Sequence, residues 1–419
     1  MAPLDSGFSR PANGATGERF TVRRLPLALL LALPLAAPLP AAALFNDRVE
    51  LFAAENITYD SNVFRLSKQL DPQTVLGTDH KDDWLSTTQL GFVVDAPYSL
   101  QRFQLGYTWL INRYQRFDQL NYNGHAGRAA WLWSITPELT GDVGYTDTET
   151  LANFANLGTT NKDLLRTKQG FFNAVWLPVA TWRLHAGAAT VEQTHSDPLQ
   201  RINDIETAAG VVGASYVTAQ DDRLGVEGRF ERGKSPHDDL VNLSGTINGY
   251  RQNSVGVVGH WIATGHSTLD GRVDYVRREY DQPTTADYSG PTARLAHTWT
   301  PTGKITVVSS LYRDIGPIAD VQSSNFVLVT GVSVKPTWAV TDKVNVGGDA
   351  EYNKWDYRGN LLTGLNYTHW TRTFGANVAW HVTQKIQLGA AYSYEMRTST
   401  LPVADYRDNL FTVSARVGF

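Results

Sequence analysis

The chain has 419 residues, 42% of them hydrophobic and 19% charged, with 35 Gly, 12 Trp, 18 Tyr and 16 Phe. Its 37 Lys and Arg stand against 41 Asp and Glu, a formal net charge of -4, so nothing in the balance implies a polyanion-binding surface and nucleic acid is not an expected partner. The absence of Cys removes disulfide scaffolds, thiolate metal sites and Cys nucleophiles, and it suits a chain that crosses an oxidising compartment.

At the amino terminus, Arg19, Arg23 and Arg24 precede the apolar stretch Leu25 to Leu39, which runs into Ala41, Ala42 and Ala43. This order of basic, apolar and small residues predicts a secretory signal peptide over residues 1–43, cleaved after Ala43. Pro26, Pro34 and Pro38 interrupt the stretch, which is also shorter than the roughly 20 residues a spanning helix needs. The remaining segment, 44–419, carries 33 basic and 39 acidic residues, net -6, and reads as one unit. No later stretch is apolar enough for a membrane helix, and the mean hydropathy is -0.28.

Beyond residue 43 the pattern has period two. Phe103, Leu105, Tyr107, Trp109 and Ile111 alternate with Gln104, Gly106, Thr108 and Asn112. The same alternation recurs in 224–231, 269–275, 344–352 and 385–397, and the runs are longer than the strands of a soluble sandwich. A W-x-x-T motif closes successive runs, at Trp133 to Thr136, Trp261 to Thr264, Trp299 to Thr302, Trp338 to Thr341 and Trp380 to Thr383. Its spacing of about 40 residues also fits a propeller blade, but each interval holds two long runs and one polar loop, which is a hairpin.

Long polar inserts lie midway between these tight turns: Ser61 to Asp83, Thr150 to Leu164, Thr194 to Asn203, Lys234 to Gly249 and Tyr280 to Ser289. Short turns at one end, long loops at the other and a ring of Trp beside the short turns predict an all-β chain. The expected form is a transmembrane antiparallel up-and-down barrel with an aromatic girdle. Counting the runs gives eighteen strands, with sixteen as the alternative. In the last run, Phe411, Val413, Ala415, Val417 and Phe419 alternate with Thr412, Ser414, Arg416 and Gly418. A terminal Phe on such a strand resembles the signal read by the outer-membrane assembly machinery. That machinery, outer-membrane lipid and lipopolysaccharide are therefore expected partners.

By alternation the interior face carries Asp142, Glu227, Arg229, Glu231, Asp270, Arg272 and Asp274 on the first half of the wall. Arg294, Asp349, Glu351, Glu395, Arg397 and Arg416 follow on the second half. Acids are the majority in this mixed set, which argues against a strongly anion-attracting conduit. Two uses are open to it, cross-strand ladders that stiffen the wall or contacts to a sugar. Nucleophile-elbow, zinc-protease and phosphate-loop patterns are all missing, so no catalytic residue, metal or cofactor is expected. Asp79 to Asp83 and His237 to Asp239 read as solvated loop tips rather than cation sites. His185, Ser215 and Asp142 are the wall residues an outer-membrane hydrolase would use, but nothing in their spacing brings them together.

The segment Tyr59-Asp60-Ser61-Asn62-Val63-Phe64-Arg65 resembles the Y-D-x-N-V-F-R opening of outer-membrane β-barrels encoded in exopolysaccharide operons. These are the EpsL type, within a broader group of β-barrel porins. The matching residues are Tyr59, Asp60, Asn62, Phe64 and Arg65. The resemblance implies a passage or porin-like channel in the biosynthesis or export of an extracellular polysaccharide, with the polymer and periplasmic export proteins as partners. Read from the residues alone, Asp60 and Asn62 satisfy local backbone where a strand enters a loop. A general diffusion porin for small hydrophilic solutes shares every feature except this opening. A hydrolase, or a scaffold barrel with a filled lumen, is the remaining alternative.

Overall fold

The computed structural model describes residues 48–237, 249–281, 287–316, 326–358 and 366–419. The segment read as a signal peptide, 1–43, lies outside these residues, as do Asp238 and Asp239. The first nine strands are β1 (Val49–Asp60), β2 (Asp83–Tyr98), β3 (Gln101–Tyr114), β4 (Tyr122–Thr136), β5 (Leu139–Leu151), β6 (Leu164–Val179), β7 (Trp182–His195), β8 (Ile205–Val217) and β9 (Arg223–Lys234). The other nine are β10 (Tyr250–Thr264), β11 (Ser267–Tyr280), β12 (Tyr288–Thr302), β13 (Ile305–Gly316), β14 (Phe326–Ala339), β15 (Val344–Arg358), β16 (Tyr367–His381), β17 (Ile386–Ser399) and β18 (Tyr406–Gly418). Each of the eighteen alternating runs in the sequence corresponds to one of them.

Every strand pairs antiparallel with its chain neighbours, and β1 also pairs with β18 from Phe52–Gly418 to Asp60–Leu410. The sheet therefore closes on itself and has no free edge, the arrangement that leaves no backbone polar group facing hydrocarbon. Phe419 extends the seam, its N–H donating to the Leu51 carbonyl at 2.8 Å.

Alternation assigns the two faces of the wall. In β10, Val255 and Val257 are 65% and 50% exposed, whereas the alternate residues Ser254, Gly256 and Val258 are half-buried. Large apolar side chains such as Leu105, Leu224, Val273 and Leu311 follow the same outward row from strand to strand. With water on that side their exposure would be costly, and against lipid it is the favoured arrangement.

The W-x-x-T motif acquires a physical account at the short-turn end. The Thr hydroxyl accepts the N–H two residues on, as in His266 to Thr264 at 3.2 Å, Lys304 to Thr302 at 3.3 Å and Lys385 to Thr383 at 3.2 Å. It thus fixes the turn through a local side-chain bond. The Trp three residues earlier points outward: Trp261, Trp299, Trp338 and Trp380 are all roughly half exposed and form the girdle beside those turns.

At the opposite end the loops are long. The first (61–82) contains the short helix α1 (Pro72–Leu76), capped by the Asp71 carboxylate on the Thr74 N–H. The third (152–163) contains α2 (Phe154–Leu157), capped by Asn153 on Ala155. Neither helix announces itself in the sequence, because one turn of helix is too short to show a period of 3.6 residues.

Candidate functional site: the lumen and its loop-covered mouth

The family-like opening lies where β1 runs into the first loop. Tyr59 is on the outer face, its ring 5.1 Å from that of Trp84. Asp60 accepts the Asn62 N–H at 2.8 Å and pairs with the Arg65 guanidinium at 2.9 Å. The Asn62 side chain accepts from the Leu66 N–H at 2.9 Å and donates to the Leu66 carbonyl at 3.0 Å. Arg65 reaches across the seam to Asp408 of β18 at 3.0 Å, and Ser61 Oγ donates to the same carboxylate at 3.0 Å. Arg65 holds a left-handed backbone, φ 54°, a conformation that costs a side-chain-bearing residue roughly 1 kcal/mol and is retained because these polar contacts over-determine it. The polar members of the motif thus act as a clamp.

Phe64 is what the clamp presents. It is 4% exposed and packs against Phe117 of the second loop (115–121) at 4.9 Å and Phe154 of α2 at 4.7 Å. Val63, Leu66, Leu120, Ala152 and Leu157 complete a buried apolar cluster drawn from three loops. Asp83 at the head of β2 holds the second loop through the N–H groups of Arg116 and Phe117, at 2.9 and 2.8 Å.

The third loop leaves its own strands and crosses toward the opposite wall. Arg397 of β17 donates to the Ala155 carbonyl at 2.6 Å, although β17 lies six strands around the ring from β5. Behind it the loop is tied to the fourth (196–204): Gln200 donates to the Leu157 carbonyl, and Asp163 accepts from His195 at 2.5 Å and from the Asp197 N–H at 2.9 Å. Burial alone would raise the Asp163 carboxyl, but the hydrogen bonds from His195 and the backbone outweigh it and hold the group below the usual carboxylate range. The mouth on the β1–β6 side is therefore roofed by packed loops.

Below the roof the inward residues form short polar ladders. Glu227 pairs with His185 at 2.9 Å and with Arg229, and Glu231 accepts from Tyr250 at 2.5 Å with Arg278 at 3.7 Å. Arg272 pairs with Asp274 at 2.5 Å, and Asp270 with His260 at 2.6 Å. Arg294 reaches Asp314 at 3.3 Å, and Glu351 accepts from Tyr312 at 3.0 Å. Asp142 accepts from Asn173 at 3.2 Å, Glu395 from Tyr406, and Arg416 pairs with Glu50 at 2.8 Å while its guanidinium covers the Phe52 ring. The Asp349 carboxylate lies over Gly375, whose missing side chain leaves it room. By strand register these residues lie on the face opposite the outward apolar row, and most have a protein partner.

Other functional residues escaped the sequence reading. Tyr250, Tyr312 and Arg278 carry no alternation signal that separates them from core residues, yet they contribute hydroxyl and guanidinium groups to the lumen wall. The hydrolase constellation does not assemble: His185 is bonded to Glu227, Asp142 to Asn173, and Ser215 lies over Gly225. Asp82 of the first loop binds Arg116 at 3.0 Å and Asp83 at the head of β2 holds backbone, so these acids serve as loop ties. Among the described residues no group of His, Asp and Glu has the arrangement of a metal site.

Residues 241–419 match the family described as "Putative beta-barrel porin 2". The chain is an eighteen-stranded β-barrel integral to the outer membrane. The match takes in β10 to β18 and leaves out the roofing loops. No curated protein matches the sequence. Among solved structures, the chain is similar to OpdK of Pseudomonas aeruginosa, crystallised with vanillate, at 12% identity and a TM-score of 0.48, covering 88% of this chain and 99% of that one. OccAB3 of Acinetobacter baumannii is similar at 11% identity and a TM-score of 0.48, covering 89% of this chain and 100% of that one. OpdL of Pseudomonas aeruginosa gives 12% identity and a TM-score of 0.48, covering 89% and 99%.

Proposed function

We propose that this barrel is a diffusion porin for small hydrophilic solutes, with its size limit set by the folded-in loops at the mouth. The observation that carries this reading is the cluster around Phe64 together with the Arg397–Ala155 bridge, which narrows the mouth of a barrel otherwise wide enough for an aqueous channel. The polar, mixed-charge wall supports passage of water-soluble molecules without strong preference for either sign of charge.

The polymer-export reading rests on Tyr59 to Arg65 alone, and those residues have a sufficient local role as the clamp that seats Phe64. A bulky chain would also have to pass the packed roof. Swelling of proteoliposomes in sugars of graded size tests the proposal. A porin admits mono- and disaccharides and excludes large oligosaccharides. Impermeability to every sugar would overturn it, and passage of long dextrans would favour the polymer conduit.

A further inference from the structure

The outer surface carries a groove that the channel does not use. It has a volume of about 490 Å³, its walls are almost wholly apolar, and it runs across the lipid-facing side from β9 to β14. Its floor exists because Gly259 and Gly271 are direct register partners, so two adjacent positions in the outward row have no side chain. Leu224 borders the pair on one side, Leu295 and Leu311 on the other, and Val257 and Val273 form the upper wall. The glycines are not there to avoid a clash: a Cβ at Gly259 would meet its nearest atom at 3.7 Å and one at Gly271 at 3.6 Å, ordinary contact distances. The space is open to an occupant.

Polarity changes along the groove. The Gly259 end is close to Trp261 of the girdle, whereas the far end is closed by Arg313 of β13 and Thr330 of β14, joined at 3.3 Å. Ile305, the register partner of Trp338 in the girdle, lies eight residues below Arg313. At about 3.3 Å per residue on a tilted strand, that places the guanidinium roughly 20 Å above the girdle, near the loop-side boundary of a ~25 Å apolar belt. Five strand spacings make the groove roughly 24 Å long, the scale of one extended fatty acyl chain. The same face is also basic nearer the loops. Arg232 and Arg251 stand directly opposite each other in register, both exposed, a like-charged pair that a bridging phosphate would relieve.

We infer that this groove is a binding site for a phosphorylated lipid of the outer leaflet, its acyl chain over Gly259 and Gly271 and its phosphate at Arg313. A second copy of the chain would fill the apolar part, but it would leave the cationic end at the headgroup boundary without a counter-charge. The inference is independent of what passes through the lumen.

The test uses the full barrel reconstituted in phosphatidylcholine bilayers containing diphosphoryl lipid A and released into native mass spectrometry. The expected result is one retained lipid A per wild-type barrel. Arg313→Gln lowers retention by about tenfold, the size expected for one charge-assisted contact. The double variant Gly259→Leu/Gly271→Leu fills the floor and abolishes it. Heat-modifiable migration on gels checks that each variant is folded, and Arg313→Gln alone decides the matter should the double variant fail to assemble. Equal retention by wild type and Arg313→Gln, or none by wild type, would overturn the inference. So would a double variant that keeps lipid A and changes only from oligomer to monomer, which would make the groove a seam between copies.

Discussion

Phe64, Asp163 and Glu55 show at the residue scale how this wall balances polar and apolar demands. Truncating a buried Phe typically costs about 3 to 5 kcal/mol, and here the loss falls on loops rather than on the sheet. Phe64→Ala is therefore expected to leave the barrel folded while loosening the roof, read as faster protease cleavage within 61–82. Asp163 gives the roof a pH dependence of definite sign. A carboxyl held below its unfolded value stabilises at any pH above that value and stops doing so as pH falls through the folded one. Cleavage of the third loop is thus expected to be slow at neutral pH and to accelerate only below about pH 4, and Asp163→Asn should remove that acid-dependent step. Glu55 is outward-facing within the belt, on the same side of β1 as Leu51, yet only 5% exposed. Its carboxylate accepts from Ser86 at 2.5 Å and Thr88 at 2.6 Å. Removing both hydroxyls leaves the buried carboxyl group without partners, so Ser86→Ala/Thr88→Ala should cost about 1 to 3 kcal/mol in a denaturant titration. Glu55→Gln should be nearly neutral, and equal costs would mean the carboxylate is not the group being held.

At the element scale the decisive property is which way each strand position faces. Val255→Arg places a charge against lipid and should cost about 2 to 4 kcal/mol, whereas Ser254→Arg points into the lumen and should cost much less. Folding yields in bilayers of defined composition measure the difference. The strands were legible because a wall between lipid and water forces period two on every one of them, and because Trp and Thr mark each short turn with its own chemistry. The interior register was legible for the same reason: Glu227 and Arg229 must share a face once Val226 and Phe230 are assigned to the other. The roof was not. Val63, Phe64 and Leu66 lie in an insert that reads as polar overall, and their partners Phe117, Leu120 and Phe154 come from two other loops. Nothing local in the sequence reveals that three loops share one apolar core. The groove on the outer face escaped for a related reason, since Gly259 and Gly271 become neighbours only through strand register.

For the whole molecule, the closed seam between β1 and β18 and the roofed mouth together describe a passage with one narrow end. Phe419 completes the seam against Leu51, and its deletion should lower the fraction of chains inserted in outer membranes, measured by fractionation. The central claim is that an open lumen is restricted by the Phe64 cluster. Single-channel recording in planar bilayers tests it most directly, comparing wild type with Phe64→Ala/Phe154→Ala. A small, steady conductance is expected for wild type and a several-fold larger one for the double variant. A silent wild type, or the same conductance in both proteins, would contradict it.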